Sequence, residues 1–217
     1  MDVSLQTIAL WVLPVVFAIT LHEAAHGYVA KMFGDRTAEV QGRITLNPLK
    51  HIDPVGTILV PGALILLAKF GGPQFVFGWA KPVPVNFGNL RDPKRDMLWV
   101  AAAGPAANFA MALLWAVVLK TAVPGGLLDN VHLVQMAKIG ISINLILMTL
   151  NLLPVPPLDG GRIAVSLLPV NAAHAFARIE PYGLFIVVGL LVSGLLDDVM
   201  GPLLRVGEWA LHALIGL

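Results

Sequence analysis

The sequence predicts an all-α polytopic membrane protein with about five to six hydrophobic segments, on the evidence of its composition, its apolar runs and its charge. Of its 217 residues, 57% are hydrophobic and 12% are charged, whereas soluble domains carry about 25% charged residues. This composition indicates a lipid bilayer as the surroundings, and the net charge of +1 gives no indication of a nucleic-acid partner. Because the chain has no cysteine, disulfides, thiolate zinc sites and cysteine nucleophiles are excluded. We expect a single domain over residues 1–217.

Apolar runs locate the expected helices. Residues 5–21 are almost entirely apolar, and the run continues far enough to span about 30 Å at 1.5 Å per residue. Asp2 ahead of this run argues against a cleavable signal peptide, and Pro14 is expected to kink the helix. Residues 97–119, 133–153 and 182–196 form further segments. Residues 199–217 are either a last span or an interfacial helix, so the C-terminal helices cover residues 181–217.

Residues 52–70 are apolar enough to span but contain four helix-disturbing residues: Pro54, Gly56, Pro61 and Gly62. Four basic residues precede this segment and five lie at its end or after it: Lys31, Arg36, Arg43 and Lys50, then Lys69, Lys81, Arg91, Lys94 and Arg95. Basic loops prefer the cytoplasmic side of a membrane. If both loops lie there, the segment enters and leaves by one face. We therefore favour a re-entrant segment, with an ordinary span as the alternative.

Residues 38–46 differ from the rest of the chain because apolar and polar residues alternate there. Val40, Ile44 and Leu46 alternate with Gln41, Arg43 and Thr45 around Gly42. A period of two is typical of a strand. The pattern predicts a small membrane-associated β-hairpin.

The first apolar segment contains an H-E-x-x-H pattern formed by His22, Glu23 and His26. Positions i and i+4 share one face of a helix. Both imidazoles can then bind one Zn²⁺, and the glutamate can act as general base on a water molecule. Ionisable residues within a membrane helix are costly and therefore point to function. The alternative is a helix end at the membrane interface, which explains neither the spacing nor the residue types.

A catalytic zinc site needs a third protein ligand. Asp159 lies in a break in the apolar sequence, after a proline-rich stretch and before Gly160 and Gly161. Irregular backbone at membrane depth is tolerated only where it is buried or lines a wet cavity. The alternative for this aspartate is a capping role in a loop. His51 and His132 are rival ligands.

A third polar signal is Asn108, which follows Gly104 and several alanines in the segment 97–119. Small residues allow membrane helices to approach closely. An asparagine among them is costly without a partner, and an interhelical hydrogen bond of about 1 kcal/mol is one explanation. A contact with substrate is the other.

Together these motifs resemble the site-2 protease family of intramembrane zinc metalloproteases. The H-E-x-x-H pattern lies in a first core helix, an A-G-P-A-A-N-F stretch ending at Phe109 follows, and Leu158-Asp159-Gly160 comes after an N-x-x-P-x-P stretch. The motifs fall in the family's order within residues 5–165. The form is minimal, without the PDZ or nucleotide-sensing domain of other members.

The resemblance implies one Zn²⁺ per chain, with Asp159 as its third ligand after the two histidines. It implies that Asn108 contacts substrate or the active-site loop. It also places the expected hairpin, with Val40, Gly42 and Ile44, where an edge strand binds extended substrate. The implied activity is cleavage of peptide bonds within or near transmembrane segments, in the cell membrane, with the active site towards the cytoplasm. A metal-ion transporter and an inactive scaffold that binds transmembrane segments are the alternatives.

Overall fold

The computed structural model describes residues 5–72 and 77–216, and these are mostly helical. The α-helices are α1 (Leu5–Met32), α2 (Thr37–Val40), α3 (Val60–Lys69), α4 (Pro93–Ala122), α5 (Val131–Asn151), α6 (Asp159–Leu167), α7 (Val170–Ala177), α8 (Gly183–Ser193) and α9 (Leu195–Ile215). A π-helical turn, Pro54–Leu59, leads into α3, and short 3₁₀ turns cover Pro48–His51, Phe87–Asn89 and Glu180–Tyr182. No β-strand occurs in these two ranges, so the all-α prediction is confirmed for them.

Four helical stretches in the described ranges are long and apolar enough to cross a membrane: Leu10–Met32, Pro93–Ala122, Val131–Asn151 and Val170–Ser193. The chain is therefore an integral membrane protein. A shorter apolar helix, Pro54–Lys69, corresponds to the predicted segment 52–70. Pro14 lies inside α1, which nevertheless runs as one helix from Leu5 to Met32.

The central bundle consists of α1, α4 and α5, which pack through small residues. Ala18, Ala112, Ala116 and Ala137 are completely buried, and a Cβ atom at Gly140 would lie 2.4 Å from the Trp115 ring. Because association in lipid depends on close packing rather than on apolar burial, small side chains at the contact are what such a bundle requires.

The last helix, α9, lies against this bundle along its whole height. Leu211 packs with Ala112 and Ala116 of α4, and Met200 packs with Leu153 just beyond α5. At its far end the carbonyl of Ile215 accepts a hydrogen bond from Lys120 Nζ at 2.8 Å. The tail is thus a full-height member of the bundle rather than a helix lying across one end of it.

Helices α1 and α4 run antiparallel, so the C-terminal end of α1 and the N-terminal end of α4 lie together. Ala30 and Val100 belong to one buried cluster, and the N–H of Arg91 donates to the carbonyl of Phe33 at 3.1 Å. The intervening residues 33–92 therefore leave and rejoin the bundle at the same end. This arrangement agrees with the interpretation of residues 52–70 as re-entrant.

The returning part of this excursion pairs with its outgoing part. The N–H groups of Trp79 and Lys81 donate to the carbonyls of Gly56 and His51 at 3.1 and 2.9 Å. A Cβ atom at Gly56 would lie 2.3 Å from the Trp79 ring, so a glycine is required at this contact. Residues 79–86 then continue without helical structure back towards α1.

The β-hairpin prediction for residues 38–46 is wrong. Helix α2 occupies the first part of the segment, and Gly42 ends it with φ +61°. The N–H of Gly42 bonds the carbonyl of Glu39 at 2.9 Å, and the N–H of Arg43 bonds that of Ala38 at 2.8 Å. This is the Schellman pattern of a helix end. The hydrogen bonds that a hairpin would need are used locally.

We predict that cysteines replacing Lys50 and Arg95 are labelled from the same side of the membrane. Both positions are exposed; Lys50 precedes the segment 52–70 and Arg95 follows it, and the excursion that contains this segment begins and ends at one end of the bundle. Leu127, in the α4–α5 loop at the opposite end, is 88% exposed and serves as the control, which should show the opposite accessibility. The chain has no native cysteine, so a membrane-impermeant thiol reagent reports each position alone. Opposite labelling of Lys50→Cys and Arg95→Cys would contradict the arrangement.

Candidate metal centre

Three side chains that can bind a metal ion converge where α1 faces the start of α6. His22 Nε2 and His26 Nε2 lie 3.1 Å apart. Oδ2 of Asp159 lies 3.3 Å from the first nitrogen and 3.4 Å from the second. His22 and Asp159 are 7% and 6% exposed. The structure thus brings together the three residues that the sequence marks as ligands.

Hydrogen bonds on the far side of each imidazole decide which nitrogen faces the centre. His26 Nδ1 donates to the carbonyl of Val100 at 2.7 Å, and His22 Nδ1 donates to Oδ1 of Asn108 at 2.6 Å. Because a neutral imidazole has only one N–H group, both Nε2 atoms then carry lone pairs. Such outer hydrogen bonds are the usual way in which proteins orient histidine ligands.

The spacing fits a tetrahedral Zn²⁺ ion. Ligand bonds of about 2.0–2.1 Å in tetrahedral geometry place the ligand atoms about 3.3 Å from each other. The three observed separations are 3.1, 3.3 and 3.4 Å. Oδ2 of Asp159 is also buried without a hydrogen-bond partner. A cation would satisfy this oxygen and both nitrogen lone pairs at once.

The first turn of α6 presents Asp159 because the preceding loop packs tightly against it. A Cβ atom at Gly160 would lie 2.2 Å from the carbonyl oxygen of Leu152, and one at Gly161 would lie 2.3 Å from the nitrogen of Pro156. The two glycines therefore allow the proline-rich loop to fold back over the helix start. The N-terminal end of a helix also favours a negative charge.

Gly104 of α4 forms the wall behind the two imidazoles. A Cβ atom there would lie 2.4 Å from His26 Nε2 and 2.6 Å from His22 Nε2. The sequence marks Gly104 as a small residue at a helix contact. In the structure its missing side chain provides the space for the ligand atoms.

Asn108 lies at the centre of a buried polar network and is completely buried. Its Nδ2 group donates to the carbonyl of Ala18 at 3.2 Å and to Oδ1 of Asn144 at 3.0 Å. Its oxygen is therefore the atom that faces His22. This placement favours the interhelical hydrogen bond over the substrate contact.

Asn144 extends the network, although the sequence prediction does not include it. It is completely buried in α5, and its Nδ2 donates to the carbonyl of Gly140 at 2.8 Å. An asparagine within the apolar segment 133–153 was the available signal, because a polar side chain at that depth needs a partner.

Glu23 lies on the neighbouring face of α1 and does not join the three converging ligand atoms. Its Oε2 accepts a hydrogen bond of 2.6 Å from the N–H of Val83. Val83 belongs to the non-helical residues 79–86, so this returning segment passes directly beside the H-E-x-x-H motif.

The far end of this segment is fixed by Asp35, which is completely buried. Oδ2 of Asp35 accepts from the N–H of Asn86 at 2.7 Å, and Oδ1 accepts from Asn89 Nδ2 at 3.1 Å. Burial raises the pKa of Asp35, but hydrogen bonds from Thr37, Asn86 and Asn89 outweigh it and hold the pKa below its ordinary value. The carboxylate therefore stays charged and continues to anchor the segment.

The other residues that the sequence predicts as metal ligands or substrate contacts lie outside this centre. His51 is buried, and its Nε2 bonds the carbonyl of Thr45 at 3.0 Å, whereas His132 is exposed at the start of α5. Val40 is 82% exposed, Gly42 ends a helical turn, and Ile44 packs against Gly27. The last three residues form no edge strand.

Comparison with known proteins places the chain in a family. The model for peptidase family M50 matches residues 10–137 and 122–194. The chain belongs to peptidase family M50. The chain is 40% identical over 201 residues to "Putative zinc metalloprotease YwhC" of Bacillus subtilis, covering 91% of this chain and 86% of that protein.

Two mycobacterial proteins are also similar, each named "Putative zinc metalloprotease Rip2". Identity is 32% over 198 residues for Mycolicibacterium smegmatis and 30% over 197 residues for Mycobacterium tuberculosis H37Rv. In both, the match covers 90% of this chain and 70% of the relative. No solved structure matches the chain.

Membership of M50 confirms the predicted resemblance to the site-2 protease family. The chain is an intramembrane zinc metalloprotease, and the transporter and scaffold alternatives are not favoured. Zn²⁺ is the cofactor that this assignment and the converging donors support.

We predict that Gly104→Ala loses zinc and activity while the bundle stays folded. A methyl group at 2.4–2.6 Å from both Nε2 atoms must displace at least one imidazole from the centre. Gly189 in α8 has nothing within 4 Å of a Cβ atom, so Gly189→Ala is the matched control and should retain zinc. The measurement is the zinc content of the two purified variants. Full zinc occupancy in Gly104→Ala would show that the centre lies elsewhere.

Proposed function

We propose that His22, His26 and Asp159 hold one Zn²⁺ and that Glu23 is the general base of peptide-bond hydrolysis. The observation that carries this proposal is the convergence of two imidazole lone pairs and a buried, unpartnered carboxylate oxygen within 3.1–3.4 Å. Three protein ligands are the number that catalytic zinc sites use.

A bound Zn²⁺ would polarise the scissile carbonyl and lower the pKa of an attacking water molecule towards about 7. Glu23 accepts the proton of that water and later donates it to the leaving amine nitrogen. One oxygen of its carboxylate is held by the Val83 N–H, which leaves the other free for this transfer. His22 and His26 are kept in the ligand orientation by Asn108 and by the carbonyl of Val100.

The proposed substrates are membrane proteins cleaved within or near a transmembrane segment. The carbonyl groups of a helix are bonded internally, so the segment must be unwound before attack. Water must also reach the centre. His26 lies six residues before the end of α1 at Met32, which is about 9 Å at 1.5 Å per residue. The path for water from that end of the bundle to the metal centre is therefore short.

We further propose that this end of the bundle faces the cytoplasm and that the protein resides in the cell membrane. The support is the set of nine basic residues that lie before, at the end of and after residues 52–70, together with the preference of Lys and Arg for the cytoplasmic side. The proposal places the active site nearer to the cytoplasmic face.

We predict that Asp159→Ala weakens zinc retention without unfolding the protein. Its carboxylate is the only acidic member of the converging set among the described residues. Asp96 is another buried aspartate, 6% exposed, and it caps the start of α4 by accepting from the N–H of Asp92 at 2.9 Å. Asp96→Asn is the control and should keep its zinc through dialysis against a chelator. Equal retention in both variants would remove Asp159 from the ligand set.

We predict that Glu23→Gln retains zinc and thermal stability but loses cleavage by about 10²–10⁴-fold, the usual cost of removing a general base. The glutamine oxygen can still accept the Val83 N–H, so the local fold is kept. The measurement is hydrolysis of a transmembrane-segment substrate in detergent, beside the zinc content of the same preparation. Substantial cleavage by this variant would rule out Glu23 as the base.

A further inference from the structure

Arg43 is a charged residue in an unexpected environment. It lies in a loop with other basic residues, yet only 7% of it is exposed. Its Nη2 donates to the carbonyls of Lys81 and Pro82 at 2.9 and 3.2 Å. A buried charge is costly unless hydrogen bonds compensate it. These two bonds tie the guanidinium to the backbone immediately before Val83.

The backbone around Val83 is restricted in conformation and has few N–H groups that can donate hydrogen bonds. Prolines at positions 82 and 84 fix their own φ near −65° and lack N–H groups. Each also disfavours helical geometry in the residue before it, which here means Lys81 and Val83. Val83 therefore supplies the only N–H group of residues 82–84, and that group donates to Glu23 Oε2 at 2.6 Å.

Gly27 lets this backbone approach α1. A Cβ atom at Gly27 would lie 3.0 Å from a methyl group of Val83, 3.0 Å from Ile44 and 3.2 Å from Ala38. Gly27 follows Glu23 by four residues, so both lie on one face of α1. The Val83 side chain rests on this glycine while its N–H reaches the carboxylate one turn earlier.

We propose that Arg43 is a positioning residue for Glu23. Its guanidinium holds the Lys81 and Pro82 carbonyls in place, so that the Val83 N–H fixes one carboxylate oxygen and leaves the other directed to the reacting water. This inference rests on the proposed role of Glu23 as base. Arg43 itself touches neither the ligand atoms nor that carboxylate; it acts through the backbone of residues 81–83.

The first experiment separates the backbone donor from the side chain of Val83. Val83→Pro removes the N–H in a segment that is already proline-rich, whereas Val83→Ala keeps the N–H and loses only side-chain packing. We expect Val83→Pro to lower kcat by about 10- to 100-fold, since misplacement of a catalytic group by about 1 Å has this effect. KM, zinc content and Tm should stay near the wild-type values. Val83→Ala should remain well above Val83→Pro in kcat.

The second experiment tests Arg43 itself with a graded series. Arg43→Gln should lower kcat in the same range at unchanged KM and zinc content. Arg43→Lys, which keeps one charged donor for the carbonyls, should recover part of the loss. Lys50→Gln removes an exposed basic residue from the same loop and should behave as wild type. A fall in kcat that only follows lost zinc or lost Tm would reduce Arg43 to a structural role and overturn the proposal.

A third measurement does not depend on activity. In protein labelled with ¹⁵N-valine, the Val83 amide signal is identified by its disappearance in Val83→Pro. A short hydrogen bond to a carboxylate should move this amide proton downfield, and Glu23→Gln should return it upfield. We expect Arg43→Gln to do the same. An unmoved signal in Arg43→Gln would overturn the proposal.

The outcomes also separate this proposal from the proposed function. If Glu23→Gln cleaves substrate well, the role of Glu23 as base fails, whatever the amide signal shows. If Glu23→Gln is inactive and the Val83 signal moves in Arg43→Gln while kcat does not, the base is correct and Arg43 does not position it. If Arg43→Gln does not fold, the Val83→Pro and Val83→Ala pair still tests the backbone donor.

Discussion

The rest of the structure depends on three electron-pair donors that point at one another inside an apolar bundle. Two imidazole nitrogens and a carboxylate oxygen lie 3.1–3.4 Å apart, although none of them can donate a hydrogen bond to the others while the histidines are neutral. Without a cation this arrangement costs the desolvation of a carboxylate in a low-dielectric environment. The cost explains why each donor is held from behind: one imidazole by Asn108, the other by the Val100 carbonyl, and Asp159 by the start of α6.

Three electron-pair donors can be held this closely only because glycines leave space at the neighbouring positions. Gly104 gives both imidazoles their space, Gly160 and Gly161 let the proline-rich loop fold over the start of α6, and Gly27 admits the segment that carries Val83. Small residues are commonly explained in membrane helices as a means for helices to approach each other. Here the small size of these glycines leaves room for backbone atoms and for the ligand atoms of the metal centre. A methyl group at Gly104 would remove the metal site before it loosened the bundle.

Much of the site could be predicted from the sequence because its signals are local or chemically distinctive. The i, i+4 histidines, the glutamate between them and an aspartate in a helix break each stand out in an apolar chain. The hairpin prediction failed because alternation over nine residues cannot distinguish a strand from a helix end closed by a left-handed glycine, here Gly42. Asn144 and the Val83 N–H escaped notice because their roles depend on partners 36 and 60 residues away.

The two faces of α1 carry different functional residues, and each face contacts a different part of the chain. Successive residues on a helix are rotated by about 100°, so the face with His22 and His26 meets α4 and α6, while the face with Glu23 and Gly27 meets residues 79–86. The metal ligands are thus supported by helices of the bundle, whereas the base is supported by an irregular segment returning from an excursion. The two supports are also packed together, because Val85 of the returning segment packs with the cluster that contains Val100, whose carbonyl orients His26. The orientation of the base therefore depends on how firmly Arg43 and Asp35 hold residues 81–86, whereas the metal ligands depend on the glycines and polar side chains of the bundle.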